Sequence, residues 1–426
     1  MGEIMRKITP QIFRILVIKL AGNFGSAMLS FAIGLYILKQ TGSALGMGIS
    51  MITGPLVSLA ITPFVGYVVD TKKHKPIMIM AQITTSIALI VFAIIFKLWP
   101  AQYYAELIGL IIMLQVTDNF LGTTITASLI QLFKGDELQQ VNSLNQSIQS
   151  LAQFAAPLVG AVIYTLVSLD TLAYIEVAFE LIALVGILGL KFQYSQHADN
   201  PAADTQKPSV LQNFREGLSY LVHERLLLIL TMSSAFINFL FAALNVGLPF
   251  LLVQTLKLSN AQYGLIESSF PIGMFIGGLL LSQMHLKRHP ITIAYLNLLY
   301  LSAVLITLGL PTLTGWPNSL NTAYFIGVCI IAGIILVFVN APIGTFMQQV
   351  IPQQIQGRVF SLDTTISIVL TPLGTILYGV LFDHIAVMPI FATSGILLLV
   401  LTAGIMLYLH RADLVKPLPA AAAENK

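Results

Sequence analysis

Long apolar stretches, each separated from the next by a short polar segment, recur from end to end of this chain. A bilayer core takes about 20 apolar residues per helix. Windows of that length predict about twelve membrane helices, near residues 12–38, 44–69, 76–97, 104–130, 142–167, 171–190, 226–252, 262–284, 290–311, 322–346, 359–382 and 389–409. No stretch alternates apolar and polar residues with period 2, which excludes a membrane β-barrel. The first apolar run is too long for a signal-peptide core and lacks a small-residue cleavage pattern, so it is expected to remain as the first span. The start Met1-Gly2-Glu3-Ile4-Met5-Arg6 lacks the Ser or Thr of a myristoylation site. The expected fold class is an all-α polytopic membrane protein.

Composition strengthens that picture. Of 426 residues, 56% are hydrophobic and only 9% are Asp, Glu, Lys or Arg, against about 25% charged in soluble domains. So few charges cannot cover a water-exposed surface, and soluble enzymes and nucleic-acid binders are excluded. The net charge of +3 implies no anionic partner, but its distribution carries information. With the N-terminus inside, every Lys and Arg except Lys39, Lys97 and Lys257 falls on the inner side. That bias predicts a multi-pass protein of the cytoplasmic membrane with both termini in the cytoplasm. The single cysteine, Cys329, excludes an internal disulfide, and the seven histidines form no HExxH-type cluster. No metal or cofactor is expected. No GxxxxGK[ST] motif is present, so ATP is not the direct fuel.

The long polar stretch Gln193–Gln212 reads as a linker. Beyond it Val210, Phe214, Leu218 and Leu221 recur at helical spacing beside Arg215 and Glu216. They form either an amphipathic helix on the inner membrane surface or an ordinary cytoplasmic helix. The expected organisation is a six-helix bundle over 1–190, a linker with this helix over 191–225, a second bundle over 226–409 and a tail over 410–426. The bundles share weak internal matches. Lys73-His74-Lys75-Pro76 matches Lys287-Arg288-His289-Pro290, and Val141–Ile148 matches Val359–Ile366. Pro157-Leu158 matches Pro372-Leu373, and the matches keep the same order. Matching segments fall on the same membrane side, which predicts two parallel six-helix repeats. A helix break is expected at both Pro157 and Pro372.

The segment Gly66-Tyr67-Val68-Val69-Asp70-Thr71-Lys72-Lys73-His74-Lys75 resembles the signature between helices 2 and 3 of the major facilitator superfamily. There a Gly is followed four residues later by an Asp and then by a basic cluster. Gly357-Arg358-Val359-Phe360-Ser361-Leu362, before helix 11, resembles the macrolide-efflux-like drug exporters of that superfamily. So do Gly273-Met274-Phe275-Ile276-Gly277-Gly278 and Phe214-Arg215-Glu216-Gly217. Two positions depart from the pattern. Thr71 stands where the signature usually has Arg, and the fourth span offers Leu114, Gln115 and Asp118 where many proton-coupled relatives carry an arginine. The resemblance implies a gate built from Gly66, Asp70, Lys73, Lys75 and Arg358, with Pro157 and Pro372 as hinges.

Ionisable groups at membrane depth are costly and mark functional candidates. Asp118 lies near the middle of span 4, with Asn119 beside it and Gln115 one turn away. It is either a proton-coupling group or a structural acid bonded to a neighbouring helix. Glu176 and Glu180 are four apart on one face of span 6. They are a coupled acidic pair, or Glu176, about 9 Å from the outer end, simply reaches water. Glu267 is about 8 Å from the outer end of span 8 and reads as structural; Asp363 reads as interfacial. Asn23, Asn119, Asn238, Asn245 and Asn340, with Gln115, fall on the spans that line the cavity in the resembling family. They are substrate-cavity candidates or interhelical hydrogen-bonding groups. Gly273, Gly277 and Gly278 read as packing positions.

The expected activity is secondary active transport, with no enzymatic step: proton-coupled efflux of amphipathic small molecules by alternating access. The rivals are transport of an endogenous solute such as a lipid, siderophore or sugar, and a non-transporting sensor. The expected partners are a small-molecule substrate, protons and the lipid bilayer, with the chain acting as a monomer and binding no nucleic acid.

Overall fold

The computed structural model describes residues 9–133, 136–192, 210–284, 288–352 and 355–415, and its regular elements there are all helical. The first six helices are α1 (Pro10–Thr41), α2 (Ala44–Thr71), α3 (His74–Leu98), α4 (Tyr103–Leu132), α5 (Asp136–Leu166) and α6 (Leu169–Leu188). The next four are α7 (Val210–His223), α8 (Arg225–Phe250), α9 (Asn260–Gln283) and α10 (Pro290–Thr307). The chain closes with α11 (Pro311–Thr314), α12 (Asn318–Val350), α13 (Gln356–Val369), α14 (Thr371–His384) and α15 (Val387–Arg411). Twelve stretches among the described residues are long and apolar enough to cross a membrane. They coincide with the twelve expected windows. Local chemistry sets the ends. The Thr9 hydroxyl accepts the Ile12 amide at 3.3 Å and Pro10 takes the first helical position, so α1 begins there. It stops at Gly42, whose φ of 64° is left-handed.

Proline acts differently at its two repeated positions. Pro372 follows the interruption between α13 and α14, at the start of the second helix, where a missing N–H costs little. Pro157 sits inside α5, which continues through it. The break expected at both prolines is therefore found at one. A single lost hydrogen bond at Pro157 is tolerated within a helix already held by its neighbours.

Of the expected linker Gln193–Gln212, residues 193–209 lie outside the described residues, and residues 210–212 already belong to α7. The helix expected after it is α7. Gly217 there abuts Leu362 and the Arg358 stem of α13, and Glu216 pairs with Arg358. α7 is thus fastened to the first turns of α13.

Packing divides the chain into two compact units. Unit 1 comprises residues 1–42, 49–200 and 259–268; unit 2 comprises 43–48, 201–258 and 269–426. Two helices therefore change unit within their first turns: α2 begins in unit 2 and α9 begins in unit 1. In unit 1, Phe31 of α1 stacks on Tyr263 of α9 with centroids 5.1 Å apart. In unit 2, Asp383 of α14 caps the start of α2. Its carboxylate accepts the Ser43 hydroxyl at 2.5 Å and the backbone amides of Ala44 and Leu45 at 2.6 and 3.3 Å. A carboxylate at a helix N-terminus satisfies donors that have no intrahelical partner.

Two buried apolar clusters fill unit 1. One gathers Met28, Leu29, Leu89, Phe92, Leu107 and Leu172; the other gathers Ile12, Ile15, Met78, Ile125, Phe133 and Ile187. In unit 2, glycines let α9 and α12 touch backbone to backbone. A Cβ added at Gly273 would lie 2.2 Å from the Ile330 carbonyl oxygen, and one at Gly333 would lie 2.3 Å from that of Phe270. Large apolar side chains also point outward, among them Val185, 70% exposed, and Phe275, 67% exposed. Lipid is the solvent that suits such a surface.

Candidate functional site

Unit 1 carries an acidic interior. Glu176 and Glu180 on α6 are buried to 1% and 2% exposure, so the alternative that Glu176 reaches water is corrected. Counting residues to the helix end measures depth along the axis but not coverage by α1. A Cβ on Gly25 would lie 2.3 Å from Glu176 Oε2, so α1 closes directly over that carboxyl. Ser26 donates its hydroxyl to Glu176 Oε1 at a long 3.5 Å. Glu176 Oε2 and Glu180 Oε2 have no hydrogen-bond partner among the described residues. Asp118 on α4 is half-buried and within electrostatic reach of both glutamates. The fold thus brings together the three acids singled out in the sequence, from two helices.

The amides separate into two groups. Gln115 and Asn119 of α4 both donate to the Ser58 hydroxyl of α2, at 2.8 and 2.9 Å. Asn119 also donates to the Gln115 carbonyl at 2.7 Å. These two fasten α4 to α2, which favours the interhelical reading for them. Asn23 is half-buried on α1. Asn238, Asn245 and Asn340 instead line a cavity of about 720 Å³ in unit 2. Its walls come mainly from α8, α10, α12 and α13, with apolar side chains such as Phe241, Leu336 and Met347 between the amides. Asp363 belongs to this wall and accepts the Thr231 hydroxyl at 2.5 Å. It is half-buried and faces space large enough for a ligand, a contact that its interfacial reading did not include.

The gate candidates are spread more widely. The Asp70 backbone ends α2, but its side chain lies outside the described residues. Around Gly66 no atom lies within 4 Å of where a Cβ would point. Lys73 takes the position before α3. Lys75 donates to the carbonyls of Leu188 and Leu190, both at 2.8 Å, and so caps the end of α6. Arg358 pairs with Glu216.

Sequence reading missed three polar arrangements. Asp383 caps α2, as described above. Glu267, read as structural, stands one turn from Tyr263 on α9, within reach of its hydroxyl. His74 is buried and meets the Ser128 hydroxyl at 2.9 Å. Only the four-residue spacing of Tyr263 and Glu267 was visible as a sequence signal. No group of three or more His, Cys, Asp or Glu able to hold a metal occurs among the described residues.

Comparison with known proteins bears on this arrangement. The sequence profile of the Major Facilitator Superfamily matches residues 15–369. Macrolide efflux protein A of Streptococcus pyogenes is 25% identical over 382 residues, covering 88% of this chain and 90% of the relative. The protein of the same name from Enterococcus faecalis is 24% identical over 341 residues, covering 78% and 99%. Among solved structures, the nucleoside transporter NupG aligns with a TM-score of 0.69 at 14% identity, covering 94% of this chain and 99% of that one. A D-xylose–proton symporter aligns with a TM-score of 0.68 at 12% identity, covering 92% and 96%. At such identities the structural likeness concerns the fold.

Proposed function

The chain belongs to the major facilitator superfamily, and from that premise we propose that it exports amphipathic small molecules in exchange for protons. Membership makes it a secondary transporter of a small-molecule substrate and not an enzyme. The unit 2 cavity carries the substrate side of the proposal. Its volume of about 720 Å³, with amides set among aromatic and aliphatic side chains, suits a large ligand that is mostly apolar. The relatives named for macrolide efflux point the same way. The buried acids of unit 1 carry the proton side, since charge at membrane depth is retained where it serves ion movement. The segment Gly66–Lys75, with Asp70, and Arg358 are proposed as gate elements, and Pro157 and Pro372 as hinges. The charge asymmetry supports a cytoplasmic-membrane protein with both termini inside.

Inside-out vesicles with an acid lumen test this directly. They should accumulate a macrolide only when the chain is present, and dissipating the pH gradient should release it. No accumulation of any amphipathic compound across a broad panel would refute the efflux reading.

The Gly25–Glu176 contact gives a sharper test of the proton side. Gly25→Ala places a methyl where Glu176 Oε2 now lies, and a side-chain end yields more readily than a backbone. Folded protein should be recovered in normal amount, while gradient-driven accumulation falls severalfold, to the level of Glu176→Gln. Unchanged accumulation in both variants would detach Glu176 from coupling.

A further inference from the structure

The wall of the unit 2 cavity holds one charged side chain among its described lining residues, that of Asp363. The other polar side chains of the lining are neutral, amides such as Asn238, Asn245 and Asn340 and hydroxyls such as Ser234, Thr364 and Ser367. No Lys, Arg or His lines the space among the described residues. The cation nearest to Asp363 in sequence is Arg358, five residues earlier on α13, and it is paired with Glu216 of α7. Among the described residues the Thr231 hydroxyl bonds Asp363 Oδ1. That hydroxyl gives the carboxylate a hydrogen bond but no opposite charge.

We propose that Asp363 is the counter-charge for a protonated amine, so that this cavity selects amphipathic molecules carrying a single cationic nitrogen. The proposal rests on the export reading above and adds the charge of the substrate and the residue that recognises it. An ammonium supplies what the wall lacks, an opposite charge that also donates a hydrogen bond. The amides offer donors and acceptors to hydroxyl and carbonyl groups of the ligand. Phe241, Leu336, Ile343 and Met347 receive its apolar body, and methionine adapts to irregular shapes. An uncharged molecule of the same shape gains the apolar contacts but leaves the carboxylate without an opposite charge. A doubly charged one leaves a second cation with no acid among these walls. Specificity therefore comes as much from what the wall penalises as from what it attracts.

Calorimetric titration of the purified full chain with two probes reads this out. Erythromycin carries a dimethylamino group that is protonated at neutral pH; its N-oxide keeps the shape but has no net charge. The wild type should bind erythromycin about tenfold or more tightly than the N-oxide. Asp363→Asn should abolish that ratio by weakening erythromycin alone, and Asp363→Glu should restore part of it. Asp363→Glu also guards against misfolding, because it keeps the charge while altering the packing. Equal binding of the two probes by the wild type overturns the role of Asp363 but leaves amphiphile export standing. So does an Asn variant that still discriminates. Failure of the wild type to bind either probe, with no vesicle accumulation of any amphiphile, overturns the export reading and this proposal with it.

Discussion

Inside-out vesicles carrying Asp118→Asn are expected to lose accumulation driven by a pH gradient while still exchanging substrate downhill. Asn keeps the size and polarity of the side chain but cannot change charge. Asp118 is the half-buried member of the acidic group, whereas Glu176 and Glu180 are almost fully covered. It is therefore the member best placed to meet both the protein interior and an entering proton. Linkage makes the effect reciprocal: if a proton at this group lowers substrate affinity, bound substrate must promote its release. Coupling free energies of this kind are typically about 1–3 kcal/mol, or about 5–150-fold. The Asn variant should lose a factor in that range. Glu176→Gln and Glu180→Gln, tested separately, should lose less. Full gradient dependence in Asp118→Asn would make Asp118 a structural acid and pass the role to the α6 pair.

Gly273→Val should cost the protein its fold. At this position a Cβ would meet the Ile330 carbonyl oxygen at 2.2 Å and the Ile330 Cα at 2.8 Å. Both atoms are backbone, so neither can swing aside as a side chain can. Gly277 is close to the Ile334 Cα in the same way, at 2.9 Å. α9 and α12 would have to separate along this seam, losing the dispersion contacts on which helix association in lipid depends. Overpacking a core costs about 1–3 kcal/mol and occasionally more; a backbone collision falls at the upper end. The control is close at hand. A Cβ on Gly278 meets nothing within 4 Å, so Gly278→Val should give a wild-type melting curve and a single gel-filtration peak. Gly273→Val should melt at lower temperature or elute as aggregate. Identical melting of the two variants would show that the seam is looser than its distances imply.

The helices were legible because lipid imposes a length and a polarity that sequence displays directly. Asp118, Glu176 and Glu180 were legible for the same reason, as acids inside apolar runs. What sequence hid was sideways contact. Glu176 lies within two helical turns of the start of α6, yet α1 closes over it at Gly25. Asp363 follows Arg358 near the start of α13 and looked like part of a charged boundary. Arg358 turns to α7, and Asp363 turns into a cavity whose other walls come from distant spans. Gln115 and Asn119 read equally as ligand groups or interhelical bonds because Ser58, the hydroxyl that binds both, is far away in sequence. In each case the deciding partner stands on another helix. Amphipathic periodicity cannot reveal such partners when apolar residues surround the helix on all sides.

The first turns of α9 have a consequence for biosynthesis. Unit 1 needs Ser259–Ser268, which supplies the Tyr263 ring stacked on Phe31. When residue 200 leaves the ribosome, this bundle is still missing a piece of its core. At ~5–20 residues per second the missing piece follows after on the order of ten seconds. Until then Phe31 must face lipid or an insertion factor. Ser43–Gly48 waits longer still, since its capping acid, Asp383, is among the last residues inserted. Each unit thus takes part of its packing from a segment synthesised with the other, and neither is complete until that segment has been made.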